Sequence, residues 1–410
     1  MNNDFQNIQT LNRVVGRFDY LRISREKCST GDLSITSDIL CYWLSTHLVP
    51  FWCTSGFDSG SKTWFDELDP SGAPVAVPRR VLVQARQAAV LAIMSRFDDF
   101  GGHKGQLEAA VQIILQRAIG PNGRVYHSLS SDGDKIFDAT GNLYDAAFVL
   151  FALAECAKTL GLTNQMSEAI DLVFLHAVQN NRHPMGGLWE SFEHRPNGLR
   201  SQNPHMHLLE ALLSLYELTG DAKYLVESKA IIEFILTYGR FNKLKAIQEL
   251  WRSDCQIDEA AVRIEIEPGH QFEWSFLISR YSQLSGDQYI ETVHFLHDIG
   301  ERYGVQPQSG FIYELIDERG EGISNTSRFW NHCERLRSQL RISKGELITT
   351  PTEILKSIDT MLLFFDPENM IMLRERCDTD LYPIQGNVRA SSVYHLVTFV
   401  DYFRRTCRVI

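Results

Sequence analysis

Apolar residues recur with a period near 3.6 along most of the chain, and Gly, Pro, Asn or Asp interrupts the pattern at intervals. The periodicity predicts helices over roughly 35–49, 79–97, 105–118, 142–160, 164–180, 204–218, 222–239, 269–284, 288–302, 328–341, 351–365 and 391–405. Strand signals are weak and short. They fall between helices, at Thr63 to Leu68, Gly123 to Ser128, Gly187 to Phe192 and Gly310 to Glu314, and predict hairpin loops at one rim. Twelve helices with short connections make six antiparallel pairs, and closing six pairs into a ring buries an inner layer against an outer one. The expected fold is all-α, an (α/α)6 barrel forming a single domain over residues 1–410, with residues 1–34 as an N-terminal extension packed on the barrel. An open helical array is the alternative, but no sequence unit recurs at the spacing of TPR or HEAT repeats and no linker divides the chain.

Composition narrows the partners. Hydrophobic residues at 44% and charged residues at 22% are ordinary for a globular protein, and Phe 23, Tyr 14 and Trp 7 supply a large core with rings to spare for a pocket. A net charge of −11 argues against nucleic acid or an anionic membrane surface, which select clustered Lys and Arg. The eight cysteines are scattered without a CxxC pair, which fits reduced thiols rather than a zinc framework or disulfide scaffold. MNNDFQNIQTLNRVV lacks the marks of a signal peptide, and the run from Ala146 to Ala157 is too short to span a bilayer. A cytoplasmic protein with a small-molecule partner is expected, and a homodimer is compatible with all of this.

Two segments concentrate polar groups at predicted helix starts. In RSQNPHMHLLEA, Asn203 reads as the N-cap and Pro204 as a first-turn residue, so His207 and Glu210 share a helical face. In EPGHQFEW, Pro268 marks the first turn, and His270 and Glu273 repeat the spacing. The positive helix end lowers an imidazole pKa below its reference of about 6.5, while a carboxylate one turn on raises it and orients the ring. The pattern therefore predicts imidazoles poised for proton transfer near neutral pH. The competing reading is that these histidines only cap helices or fill the inner layer. A metal site is a further alternative, but His205 and His207 are two apart and point about 200° from each other on a helix. No metal and no cofactor is expected.

RSQNPHMHLLEA, EPGHQFEW, VQARQ (Val83 to Gln87) and RFWNHCE (Arg328 to Glu334) together resemble the N-acylglucosamine 2-epimerase superfamily, in particular its branch of mannose isomerases, mannose 2-epimerases and mannose 6-phosphate isomerase-like proteins. The resemblance runs from Phe51 to His395 and implies an (α/α)6 barrel, in agreement with the helix count. It implies that Arg86 binds substrate oxygens near C1 and C2, that His207 and His270 are the motif histidines, and that His395, in ASSVYH, is the C-terminal catalytic histidine. Glu210, Glu273, Asn203, Trp330 and Glu334 are the expected substrate contacts. Judged by its neighbours alone, Arg86 could be an interhelical ion pair and His395 a packed core histidine. Trp189, Trp274 and Trp330 offer flat faces for a sugar ring, although tryptophan also fills such cores.

Two departures bear on the substrate. Family members carry a Trp-Pro-Gln-Thr-Glu-like segment where this chain has Trp330, Asn331, His332, Cys333 and Glu334, so His332 either contacts substrate or is incidental. Where related isomerases place a substrate-binding arginine, Ala260 stands here, and Arg263 is the nearest candidate.

Moving a proton from C2 of an open-chain aldose needs a base beside C2, an acid at the carbonyl oxygen and a donor that holds the enediolate. The resemblance implies that His270 and His395 flank the C1–C2 bond. Return of the proton to C1 gives a ketose, and return to the other face of C2 gives the epimer. One rival is an inverting glycoside hydrolase using a carboxylate pair from Glu190, Glu210, Glu273 and Glu334. The other is a non-catalytic sugar-binding barrel.

Overall fold

The computed structural model describes residues 29–98, 100–193, 199–240, 242–252, 254–255, 264–345, 349–366 and 371–408. Twelve helical runs are found among them. Helix α1 comprises Thr30–Trp43, a π-helical turn Leu44–Leu48 and Val49–Thr54. It is followed by α2 (Val81–Met94), α3 (Lys104–Ile113, with a π turn Ile114–Ala118), α4 (Leu143–Leu160) and α5 (Asn164–Phe174, with a π turn Leu175–Gln179). Next come α6 (Gln202–Thr219), α7 (Ala222–Tyr238), α8 (Pro268–Ser285) and α9 (Ile290–Ile299, with a π turn Gly300–Gly304). The last are α10 (Phe329–Gly345), α11 (Pro351–Leu362) and α12 (Val393–Cys407).

The even-numbered helices form the inner ring. Each packs on the next, and α12 returns to α2, so the ring closes as an (α/α)6 barrel. The odd-numbered helices cover it from outside. Their sequences follow the layers: every residue of α2 is buried, as expected for a helix apolar all round, whereas α11 is strongly one-sided. Large rings such as Trp43, Trp52, Phe272 and Phe329 are fully buried in the core, each burial contributing about 1.5–3 kcal/mol.

Helix starts differ from the sequence expectation where side chains compete for the cap. α1 begins at Thr30 rather than near 35, because Ser29 and Asp32 form a capping box. The last residues of the expected N-terminal extension are therefore helical, and residues 1–28 lie outside the described residues. α6 is capped by Ser201, whose hydroxyl accepts the amide of Asn203; Asn203 is a second-position residue and not the cap.

The two ends of the ring are unlike. At one end the inner helices turn back through short links, 161–163, 220–221 and 286–289, with Gly220 and Gly286 in the left-handed region at φ 70 and 82. At the other end the connections 55–80, 119–142, 180–201, 239–267, 305–328 and 363–392 are long and carry all the short strands found among the described residues. The expected local hairpins account for only part of these. Leu199–Ser201 pairs with Leu250–Arg252, Thr326–Arg328 with Arg376–Asp378, Glu67–Leu68 with Val388–Arg389, and Arg79–Arg80 with Ser128–Leu129. These pairings tie neighbouring helix pairs together. Gly187 to Phe192 and Gly310 to Glu314 contribute single bridges rather than strands.

Candidate active site

The N-termini of the inner helices converge on a cavity of about 500 Å³ at the end with long connections. His270 enters from the first turn of α8, and His207 comes from the first turns of α6. His395 enters from the start of α12, Arg86 from α2, Tyr144 from α4 and Trp330 from α10. A histidine near the start of an inner helix faces the axis at its open end, so the N-terminal motifs of three different helices meet at one place. Gly269 permits the approach of α8 to α10: a Cβ there would lie 2.4 Å from Asn331 Oδ1 and 2.7 Å from the Trp330 ring.

Trp330 stands between two imidazoles, with its ring centre 4.8 Å from that of His270 and 5.6 Å from that of His395. Each imidazole is held from behind by a carboxylate. His395 Nδ1 lies 2.7 Å from Glu334, and because a carboxylate only accepts, Nδ1 carries the hydrogen and Nε2 is left as the second ring nitrogen. His270 Nδ1 lies 2.9 Å from both oxygens of Glu249. Gln202 completes this arrangement, accepting from Trp274 Nε1 at 2.6 Å and donating to Glu249 at 2.9 Å.

The two rings are tuned in opposite directions. Burial pulls His270 down, but Glu249 and Glu267 more than offset it, so its pKa is pushed up to about 9. Burial also dominates at His395, where Glu334 only partly counters it, and the imidazole is held below its ordinary value. Glu273, one turn on, raises His270 as expected but is a lesser contributor; the main partner is Glu249, brought in by the pairing of Leu199–Ser201 with Leu250–Arg252.

His207 is pushed down to about 3 by burial among Tyr144 and Phe148, with ring centres 5.0 and 4.6 Å away. Its Nδ1 has no hydrogen-bond partner among the described residues and lies 3.7 Å from Glu210 and 3.8 Å from Glu273. Glu273 is fully buried, and among the described residues neither of its oxygens has a hydrogen bond. Burial, with Glu334 and Glu210 beside it, raises its carboxyl well above the usual range, which favours the neutral acid.

Glu210 and Glu334, expected to touch substrate, lie behind the cavity wall. Neither lines the cavity. Arg337 bridges them from behind at 3.0 and 2.9 Å, and Glu210 also accepts the Tyr394 hydroxyl. A buried carboxylate needs a partner, and here the guanidinium takes that role, leaving Glu334 to orient His395. Arg86 lies on the cavity wall, donating to Tyr144 Oη at 3.0 Å and to the Ser391 carbonyl at 3.3 Å, with its guanidinium 4.1 Å from the Phe148 ring centre. It has no carboxylate partner among the described residues. Asn203 also lines the cavity, its Oδ1 buried without a hydrogen bond.

Other candidates lie elsewhere. Trp274 is buried behind Gln202, and Trp189 packs on His183. His205 accepts the Leu188 amide at 3.1 Å and sits 3.1 Å from the Ser201 carbonyl, a structural role on a face different from that of His207. His332 bonds Ser327 at 3.0 Å and packs on Phe364, away from the cavity. Arg263 lies outside the described residues. Of the four carboxylates considered for a glycoside hydrolase, only Glu273 lines the cavity. Sequence reasoning missed Glu249, Arg337, Tyr144 and Tyr394. Arg337 stands three residues after Glu334, a helical ion-pair spacing that could have been noticed; Glu249 carries no local signal.

A closed (α/α)6 ring with an axial, histidine-lined pocket is the architecture of carbohydrate isomerases and epimerases. The family model described as N-acylglucosamine 2-epimerase (GlcNAc 2-epimerase) matches residues 63–398, and the chain belongs to that family. Among curated proteins it is 28% identical over 316 residues to a mannose-6-phosphate isomerase of Rhizobium meliloti, covering 76% of this chain and 81% of that one. A solved D-mannose isomerase superposes with a TM-score of 0.78 at 19% identity, covering 89% of this chain and 97% of the other. The cellobiose 2-epimerase of Bacillus thermoamylovorans B4167 superposes with a TM-score of 0.81 at 17% identity, covering 90% and 99%. These two likenesses show the fold.

Proposed function

We propose that this chain interconverts a mannose-type aldose with its ketose or its C2 epimer by proton transfer through an enediolate. The observation that carries the reading is the pair of carboxylate-held imidazoles on either side of Trp330, one tuned up and the other down. His395, neutral near pH 7, takes the C2 proton on Nε2. His270, as imidazolium, donates to the carbonyl oxygen, and Arg86 beside them stabilises the developing enediolate charge. His207 and neutral Glu273 hold sugar hydroxyls at the base of the cavity, Asn203 does so at its side, and Trp330 supplies a flat wall. The names of the relatives leave open whether the mannose carries a phosphate.

The reaction is proposed to need no metal. Three groups among the described residues have the spacing for one: His207, Glu210 and Glu273; Glu249, Glu267 and His270; and Glu273, Glu334 and His395. In the first and third, Arg337 already occupies Glu210 or Glu334, and a divalent ion beside a guanidinium is repelled. In the second, His270 is already held by Glu249 and Glu267, and a metal would have to displace the proton that the ring shares with them. No helix among the described residues is long and apolar enough to cross a membrane. The seven described cysteines are free, which supports a cytoplasmic enzyme.

The test is incubation with mannose, glucose, fructose and N-acetylglucosamine in D2O, before and after dialysis against EDTA. Deuterium at C1 or C2 in both samples is expected. Hydrolysis or mere binding would leave those carbons unlabelled, and activity restored only by zinc or manganese would replace the histidine mechanism.

A further inference from the structure

Two side chains at the base of the cavity are left without a protein partner. His207 and Glu273 both line it, both are buried, and His207 Nδ1 lies 3.8 Å from a carboxyl oxygen of Glu273. Among the described residues His207 Nδ1 and both oxygens of Glu273 have no hydrogen bond. The other two imidazoles of the cavity are committed to carboxylates, His270 to Glu249 and His395 to Glu334. Buried polar atoms left open at a cavity wall take their partners from whatever fills the cavity. Burial keeps Glu273 a neutral acid and His207 a neutral base near pH 7, so the pair offers one proton to give and one lone pair to accept another. Tyr144 and Phe148, with ring centres 5.0 and 4.6 Å from that of His207, wall the imidazole off, and Glu210, 3.7 Å from its Nδ1, favours a positive charge on it.

We propose that His207 and Glu273 form an acid–base pair that opens and closes the sugar ring, so that the protein is also a mutarotase for aldohexopyranoses. The proposal rests on the isomerase reading above for its substrate class and deepens it. An aldohexose in water is almost entirely a cyclic hemiacetal, and its C2 proton becomes acidic only when the ring opens and frees the C1 carbonyl. In opening, a ring nitrogen of His207 takes the proton of the O1 hydroxyl, and the electron pair of that O–H bond forms the second C1–O1 bond. The C1–O5 bond breaks with its pair going to O5, which takes the proton of Glu273. O1 and O5 are both bonded to C1, so acid and base must stand close together, as these two do. The carboxylate left on Glu273 faces the new imidazolium across 3.8 Å, and each transfer therefore promotes the other. Closure runs the same transfers backwards and restores both groups. If the carbonyl has turned about the C1–C2 bond in the meantime, the other anomer is released. His270 and His395 are kept for the chemistry at C2, and the two steps use separate pairs.

The experiment dissolves crystalline α-mannose and follows the approach to anomeric equilibrium by polarimetry, beside deuterium exchange at C2, for the wild type, Glu273→Gln, His207→Asn and His395→Asn. The wild type should equilibrate the anomers faster than buffer alone. Glu273→Gln and His207→Asn should each lower that enzymatic rate by about 10² and lower exchange with it, because a closed ring presents no acidic C2 proton. His395→Asn should lose exchange and still equilibrate the anomers. Both dyad substitutions replace a neutral buried group by one of similar shape, and circular dichroism establishes that each variant is folded; should one not be, the other decides. A wild type that exchanges the C2 proton without speeding mutarotation overturns the proposal and leaves the isomerase reading standing. Folded dyad variants that equilibrate anomers at the wild-type rate overturn it too, as does a His395→Asn variant that loses both activities, since ring opening would then belong to the C2 base. Mutarotation that depends on the dyad, in a wild type with no exchange at C1 or C2, would support the proposal and overturn the isomerase reading instead.

Discussion

The two ends of the ring are both rich in charge, yet they treat it differently. At the end with short turns, Lys158 bridges Glu155 and Glu217 at 2.8 and 2.9 Å, Arg96 meets Glu155 at 2.8 Å, and Arg280 meets Glu217 at 2.6 Å. Burial raises the carboxyls of Glu155 and Glu217, but these cations outweigh it and hold both at about 2. At the end with long connections, His207 Nδ1, both oxygens of Glu273, Asn203 Oδ1 and Glu267 Oε2 are buried without a hydrogen bond among the described residues. A buried polar atom left unmatched costs about 1–3 kcal/mol, so a fold tolerates several together where something else will supply the partners. Among the described residues such atoms occur at the closed end too, Arg337 Nε and Arg404 Nε among them, but those named at the open end all belong to residues lining one cavity, an arrangement suited to a ligand with many polar groups. Arg337 belongs to both, lining a second cavity at the closed end while holding the carboxylates that stand behind the site.

The strongest way to break this comparison is at the open end. His270→Asn and His395→Asn should each lower kcat by about 10² to 10⁴ in protein that remains folded, and the double variant should lose much less than the product of the two. A folded His395→Asn protein that exchanges the C2 proton at the wild-type rate would make His395 a packing residue. At the shared residue, Arg337→Leu leaves Glu210 and Glu334 as uncompensated buried carboxylates and should destabilise the protein by about 3–5 kcal/mol in urea titration. A loss below about 1 kcal/mol would mean that the acids are satisfied some other way. Arg86→Ala should raise KM and lower kcat together, by about 10² in kcat/KM, and a change within about twofold would leave it a structural residue.

A pH profile sharpens the contrast between the two imidazoles. Activity should fall as pH rises through about 9, where His270 loses its proton, and fall again below the ordinary histidine range, where His395 gains one. Glu249→Gln should move the upper limb down by about one unit or more and leave the lower limb in place. The same shift makes a stability statement. The folded pKa of His270 lies above its unfolded value of 6.5, so its contribution is fully present below 6.5 and is lost as pH rises through about 9. The smallest effect belongs to the closed end, where Glu217→Gln should change kcat by less than about twofold and cost less than about 2 kcal/mol in stability. A large kinetic loss there would show that the two ends are not independent.

The sequence by itself determined the helices and the ring. Eleven of the predicted spans start within a few residues of the observed helices, because inner helices are apolar all round and outer ones on one face, a signal carried by consecutive residues. The histidines were legible for a related reason: His207 and His270 sit in first turns marked by local polar and proline residues, and motif resemblance added Arg86 and His395. Tertiary structure alone decided which carboxylate serves which ring. Glu249 reaches His270 across 21 residues through strand pairing, and Glu334 reaches His395 across 61, so no helical spacing could announce either. It also set Glu210 and Glu334 against Arg337, and placed Arg328 opposite Arg376 on one strand pair. Periodicity reports which face of an element is buried; the charge that lies against that face comes from other elements, and only the closed ring brings them together.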